Sequence, residues 1–295
     1  PMYSRYLTKN DGQALQDIWA FQPYTNGTVF GTDRGIDEDV RWLSPKDAER
    51  LGYQTQKPLG LLDRIIKSSC PADGIVLDAY GGCGTTIDAA QRLKLGWISM
   101  DITYKSIAVS LKRLEDNYGP EILKSIALTG IPRDMASASA LAHNRDDRLR
   151  KEFEVWAILT YTNNRAVVND KKGADGGIDG VAFFKIAKRE NAKVVFQVKS
   201  GKVDRGDIAK LRGDADKAKA EMAVFITLRN PTRDMMKEAK ACGQFDHAEM
   251  GRRYDRMQIV TIQEMIEQGA RLDLPMSVDV LKKARGHIEE QLDLL

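Results

Sequence analysis

The sequence predicts an α/β protein in two parts, and three observations predict it. From Ile75 to Ala90 an apolar run, a glycine-rich loop and a helix-like stretch follow one another, and WISMD from Trp97 supplies a second strand. VAFFKIAK from Val181 and KVVFQVK from Lys193 are β-branched apolar runs separated by the polar RENA, which reads as a β-hairpin. Beyond the hairpin, helical and apolar stretches alternate as far as Ile266, giving the second part a mixed sheet flanked by helices.

A chain of 295 residues is long enough for two domains, each with its own core. With 29% charged and 42% hydrophobic residues, and no apolar run of membrane-span length, it reads as a soluble cytoplasmic protein with no membrane partner. Cys70, Cys83 and Cys242 lie far apart without a CxxC pair, so neither a disulfide framework nor a zinc site is indicated. His143, His247 and His287 are equally scattered, which argues against a zinc- or histidine-dependent nuclease. The chain starts at Pro1 without a signal-like segment, and a fragment of a longer protein is expected.

From Met2 to Gly52 the sequence is polar and broken by Gly and Pro, with Trp19 and Trp42 as expected anchors. Lys57-Pro58 then opens a helix with Leu61, Leu62, Ile65 and Ile66 on one side. IVLD is expected to be a buried strand, the glycines after it a loop, and a helix starts near Thr85. Glycines let backbone approach a ligand, and the helix aims free N–H groups at whatever lies in the loop. Asp101, at the end of the next strand, is placed to accept hydrogen bonds from ribose hydroxyls, so a nucleoside-bearing cofactor suits this geometry. TYKSIAVSLKRL continues as a helix.

TQKP, LDAYGGCGTT and ISMD, in that order, resemble the DNA methyltransferases that modify adenine N6 or cytosine N4, in their permuted motif arrangement. The resemblance implies S-adenosyl-L-methionine as cofactor, with Asp78, Tyr80, Gly82, Gly84 and Thr85 in the cofactor loop, Asp101 on the ribose and Lys57 near the methionine end. The DIW at Asp17–Trp19 also matches that family. Ala79 stands where proline is usual and Cys83 where serine is common; both are small, and binding is expected to survive. The family's catalytic D-P-P-Y type tetrapeptide is absent, since the QPY at Gln22–Tyr24 lacks the paired prolines and sits too close to TQKP. That tetrapeptide holds the amino group of a flipped base, so this chain alone is not expected to methylate DNA and reads as the C-terminal part of a longer methyltransferase.

From Gly130 to Arg150 the sequence is small, polar and charged without a sustained apolar face, and the domain junction is expected there: a first domain over 1–130, a linker over 131–150 and a second domain over 151–295. In that second domain GADGGIDG, Gly173 to Gly180, precedes the hairpin and QVKSG ends it. A turn centred near Glu190 and Asn191 sets Asp179 roughly across from Lys199, while Gln197 and Lys199 share one face of their strand. A carboxylate, an amide oxygen and an ammonium together suit Mg²⁺ and water-mediated phosphodiester hydrolysis. Asp175 is a second candidate that spacing does not exclude; Asp179 is preferred because it begins the strand. Lys185, Lys188, Arg189, Lys193, Lys199, Lys202, Arg205, Lys210 and Arg212 crowd around the hairpin despite a net charge of only +3, which suits a phosphate backbone or an ordinary solvated face.

This constellation resembles the Mrr-like restriction endonucleases of the PD-(D/E)xK superfamily, in the variant with Gln for the second acid, over roughly 148–266. The resemblance implies that Asp179 is the metal carboxylate, Gln197 the second ligand, Lys199 the catalytic lysine and Glu154 the helix acid that completes the site. Together the two resemblances imply a partial Rossmann-like methyltransferase segment followed by a restriction-endonuclease-like α/β domain with a mixed central sheet. The function expected is a fused modification and restriction polypeptide acting on double-stranded DNA, with double-strand cleavage favouring a homodimer; the alternative is a methyltransferase whose nuclease-like domain grips DNA without cutting. Helices over Asp207–Glu221 and Pro231–Ala241, strands at AVFITL and MQIVTI, and an amphipathic tail through SVDVLKKARGHIEEQLDLL complete the layout.

Overall fold

The computed structural model describes Val40, Leu43 and residues 47–53, 55–169, 177–187 and 190–274. Trp19, Trp42, the DIW and QPY stretches, Asp175, Lys188, Arg189 and the amphipathic tail lie outside the described residues. The chain packs as two units: one runs to Ile102 and includes Arg113–Pro120, the other takes Thr103–Lys112 and everything from Glu121.

In the first unit, α1 (Leu59–Ser69) starts directly after Pro58, whose fixed backbone suits a helix entry. Next come β1 (Ile75–Asp78), α2 (Thr85–Arg92) and β2 (Gly96–Ser99); of α3 (Tyr104–Tyr118), only the part from Arg113 belongs to this unit. β1 and β2 run parallel, pairing Ile75 with Gly96 and Asp78 with Ser99, so the strand–loop–helix–strand expectation is met. Ile66, Ala89 and Ala90 are buried and Leu59, Leu62, Val76 and Trp97 pack against them. Leu59, Leu62 and Ile66 follow helical spacing; Ile65, expected on that face, is rotated off it and is exposed. β1 is not the buried strand expected. Alternation sends Val76 toward the helices, while Ile75 and Leu77 on the other face are 66% and 61% exposed, as is Ile98 beside them at 52%.

Buried Asp88 joins α2 to the last turn of α3: it accepts from the Tyr118 hydroxyl at 2.8 Å and from Asn117 Nδ2 at 3.0 Å, with Arg113 at 3.8 Å. Burial, then the Asp88 contact, pushes the Tyr118 phenol above its ordinary range.

The second unit begins with α4 (Ile122–Ser125), α5 (Met135–Ala142) and α6 (Asp147–Tyr161). α5 falls within the stretch expected to be a linker. Asp134 caps it by accepting from Ser137 N at 2.7 Å, and Ala138 and Ala142 are buried in the core. β3 (Val167–Val168), β4 (Gly180–Ala187) and β5 (Glu190–Lys199) are antiparallel neighbours. α7 (Arg205–Lys217), β6 (Met222–Thr227), α8 (Arg233–Ala241), the β7 (Gln244–His247) and β8 (Arg252–Asp255) ribbon, β9 (Met257–Thr261) and α9 (Ile262–Glu267) follow. The main sheet has the order β3-β4-β5-β6-β9, with β5, β6 and β9 parallel, which is the mixed sheet expected. Every residue of β6 is buried, as a central strand covered on both faces must be. Phe153, Ile158, Phe184, Phe196 and Ile226 fill the core on one face; Val195, Ile208, Leu211, Phe225 and Met235 fill the other.

Register differs from the sequence expectation. Gly180 pairs with Phe196 and Ala187 with Glu190, with an irregularity between Lys185 and Ala187, so Glu190 and Asn191, expected at the centre of the turn, both belong to β5. Asp179 therefore sits beside the Phe196–Val198 backbone, short of Lys199: its N–H donates to Phe196 O at 2.8 Å and its Oδ2 accepts from Val198 N at 2.8 Å. The β7–β8 ribbon has no counterpart in the sequence reading. It is anchored by buried His247, whose Nε2–H donates to Lys185 O at 2.6 Å while Nδ1 accepts from Met250 N at 3.3 Å.

Candidate functional site

In the first unit, Asp78 ends β1 and turns the chain by accepting from Tyr80 N at 3.0 Å. Gly81 N then donates to Met100 O at 2.8 Å, which draws the loop onto the end of β2; a Cβ at Gly81 would fall 2.0 Å from Ser99 Oγ, so any other residue there requires the Ser99 hydroxyl to turn away. Gly82 and Gly84 have φ of 51° and 74°, the left-handed region. Thr85 is buried at the start of α2, with its hydroxyl 3.5 Å from Cys83 Sγ.

Asp101 Oδ2 accepts from Gly82 N at 2.9 Å. The acid expected on a ribose is thus also a brace for the glycine loop. Gly84, the N-cap of α2, has no side chain with which to cap its first-turn N–H groups. Tyr80 is 91% exposed beside them, and the exposed Lys57 donates to Thr55 O at 3.1 Å. A glycine loop with two left-handed residues, a helix that starts at a glycine and an adjoining carboxylate fit a nucleoside-bearing cofactor such as S-adenosyl-L-methionine.

In the second unit, the predicted residues are held by two different helices. Lys199 Nζ is paired with Asp207, on the first turn of α7. Asp179 Oδ1 lies 3.8 Å from Lys151 Nζ on α6, and the same ammonium donates to Glu154 Oε2 at 2.6 Å. Gln197 is buried; its Nε2 donates to Gly177 O at 2.9 Å, and its Oε1 is enclosed without a hydrogen-bond partner. Burial pushes the Asp179 carboxyl up to about 6; the Val198 N–H opposes it, Glu154 adds to it, and Lys151 and Lys199 oppose it further.

Sequence reasoning missed Lys151 and Asp207. Lys151 could have been found from its i,i+3 spacing to Glu154, and Asp207 from its place three residues after the Asp204 cap of α7.

This arrangement does not fit Mg²⁺ well. A hard cation needs carboxylate oxygens open to it, yet the space between Glu154 and Asp179 is claimed by an ammonium. Among the described residues, no cluster of three His, Cys, Asp or Glu could hold a metal. The basic residues divide as well: Lys193 donates to Ala218 O at 2.8 Å, whereas Lys185, Lys202, Arg205, Lys210 and Arg212 are exposed, the last four on α7 and the loop before it. No described helix is long and apolar enough to cross a membrane.

Comparison with known proteins follows the same division. Residues 2–112 match the family described as DNA methylase, and residues 149–267 match the family described as NACHT-associated inactive Restriction Endonuclease 1. Among curated proteins, the chain is 26% identical over 104 residues to the Type II methyltransferase M.ScaI of Streptomyces caespitosus, covering 35% of this chain and 29% of that protein. It is 30% identical over 106 residues to the Type II methyltransferase M2.DpnII of Streptococcus pneumoniae, covering 36% and 32%. Against the Type II methyltransferase M.HinfI of Haemophilus influenzae it is 39% identical over 72 residues, covering 24% and 20%. The chain thus spans a third or less of each of these relatives, and carries a methyltransferase-like region followed by one similar to a restriction-endonuclease-like family described as inactive.

Proposed function

We propose that this chain is part of a DNA methyltransferase of the adenine-N6 or cytosine-N4 class, whose first unit holds S-adenosyl-L-methionine and whose second unit grips double-stranded DNA without cutting it. The observation that carries the first half is the Asp101–Gly82 bond, which fixes a glycine loop at the start of α2. In this reading the loop from Asp78 to Thr85 cradles the cofactor, Asp101 meets the ribose, and Lys57 lies toward the methionine end. When bound, the cofactor supplies an electrophilic methyl group; the chain's own residues bind and orient it. The exposed Ile75, Leu77 and Ile98 support a sheet completed by parts of a methyltransferase beyond the described residues, because the two described strands with an exposed apolar face are not stable alone. The test is calorimetric binding of S-adenosyl-L-methionine to the chain. Binding weakened at least tenfold by Asp101→Ala is expected, and no binding by the wild type would sink the assignment.

For the second unit, the support is the ammonium between Glu154 and Asp179 together with the exposed basic residues of α7 and its loop. A second reading, an Mrr-like Mg²⁺-dependent endonuclease, draws on the enclosed, unpartnered Gln197 Oε1 and on Lys199 at the end of the same strand. Incubation of unmethylated and methylated plasmid with Mg²⁺ decides between them. Retarded but intact DNA is expected; cutting that disappears in both Asp179→Ala and Lys199→Ala would establish the endonuclease instead.

A further inference from the structure

We propose that Lys151 is the resident cation of the second unit: its ammonium takes the position between the Glu154 and Asp179 carboxylates that a divalent ion would need, and keeps the unit metal-free. Lys151 Nζ is 2.6 Å from Glu154 Oε2 and 3.8 Å from Asp179 Oδ1, so one positive group serves both acids. The geometry is built rather than incidental. Lys151 and Glu154 are one turn apart on α6, which stacks their side chains on the same face of the helix. Asp179 is fixed by backbone: its N–H is tied to Phe196 O and its Oδ2 to Val198 N, which leaves Oδ1 as the oxygen turned to the ammonium. The Lys151 side chain is 19% exposed, Asp179 21% and Glu154 31%, so water screens the trio only in part.

Two consequences separate this device from an ordinary surface ion pair. A divalent ion would bring its charge within a few ångströms of a fixed ammonium, and that repulsion opposes its entry. Removing only the ammonium, by contrast, leaves two carboxylates facing one another across an open position, and such pairs bind hard cations. Lys199 is paired with Asp207 and acts on Asp179 only as the smaller positive charge, behind Lys151. The proposal rests on reading Glu154 and Asp179 as the acids of a restriction-endonuclease-like site, but metal binding is measured without DNA, so its failure is distinct from a failure of DNA gripping.

The test is Mn²⁺ binding to the whole chain, followed by electron paramagnetic resonance of the free ion. Wild type and Lys151→Arg are expected to show no saturable binding that depends on Asp179. Lys151→Met is expected to gain a site at least tenfold tighter than any in the wild type, and Asp179→Asn in that background is expected to abolish it. The inference is overturned if wild type binds Mn²⁺ and Asp179→Asn removes the binding, or if Lys151→Met folds, as judged by circular dichroism, and gains nothing. Should Lys151→Met fail to fold, the comparison of wild type with Asp179→Asn decides alone: Asp179-dependent binding overturns the proposal and its absence upholds it.

Discussion

At the scale of single residues, Asp179 carries the most specific consequence of the fold. Burial raises its carboxyl from the ordinary 3.8 to about 6, so the folded chain holds its proton more tightly than the unfolded chain does. Its contribution to stability is therefore complete below about pH 4 and is lost as pH rises through about 6, on the order of 3 kcal/mol in all. Melting temperature should fall more steeply across that window for wild type than for Asp179→Asn; parallel curves would show that the carboxyl is not held away from water. Gly180 gives a second expectation. A Cβ there would lie 3.1 Å from both Ile158 Cδ1 and Val167 O, and a backbone oxygen cannot step aside as a side chain can. Gly180→Ala should cost about 1–3 kcal/mol in chemical denaturation. Neither effect was legible in the sequence, since both depend on what stands across from GIDG. Its identity as the start of a strand was legible, because a β-branched run follows it.

At the scale of elements, local signals placed most helices and strands but not their partners. Thr261 closes β9 and opens α9, accepting from Glu264 N at 3.1 Å while its own N–H donates to Glu264 Oε2 at 2.7 Å. Thr261→Ala should cost about 1 kcal/mol, and Thr261→Ser should recover most of it in the same denaturation assay. The same capping chemistry was present before α5, at Asp134 and Ser137, yet α5 was hidden because an alanine-rich helix shows little contrast between its faces. Hairpin register failed for a related reason. The strand composition fixed that the two runs pair, whereas the turn position depended on an irregularity between Lys185 and Ala187 that composition does not announce.

At the scale of the whole molecule, Lys202, Arg205, Lys210 and Arg212 are each exposed on and before α7, interleaved with Asp204, Asp207, Asp214 and Asp216, and Arg205 pairs with Glu238. If they meet phosphates, replacing all four by Ala should weaken double-stranded DNA binding and lower the slope of log affinity against log salt by about one per lost contact. An unchanged slope in a filter-binding titration would assign them to solvent. Asp88 tests how the first unit is held. Tyr118→Phe deletes a hydroxyl that bonds both its carboxylate and its backbone carbonyl, at 2.8 and 3.1 Å, and should cost about 1–3 kcal/mol.

The sequence by itself determined that the chain is α/β, that a glycine loop stands between a strand and a helix, and that an acid, an amide and a lysine lie near the ends of a hairpin. Those follow from periodicity and from backbone conformations that few residues allow, and both are local properties. Tertiary structure decided which charges from different elements meet. It turned Asp101 onto Gly82, gave Lys199 to Asp207 and set Lys151 between Glu154 and Asp179. Coulomb energy depends on separation in space, and residues 28 apart in sequence, such as Lys151 and Asp179, are brought within reach only when α6 packs against the sheet that Asp179 leads into.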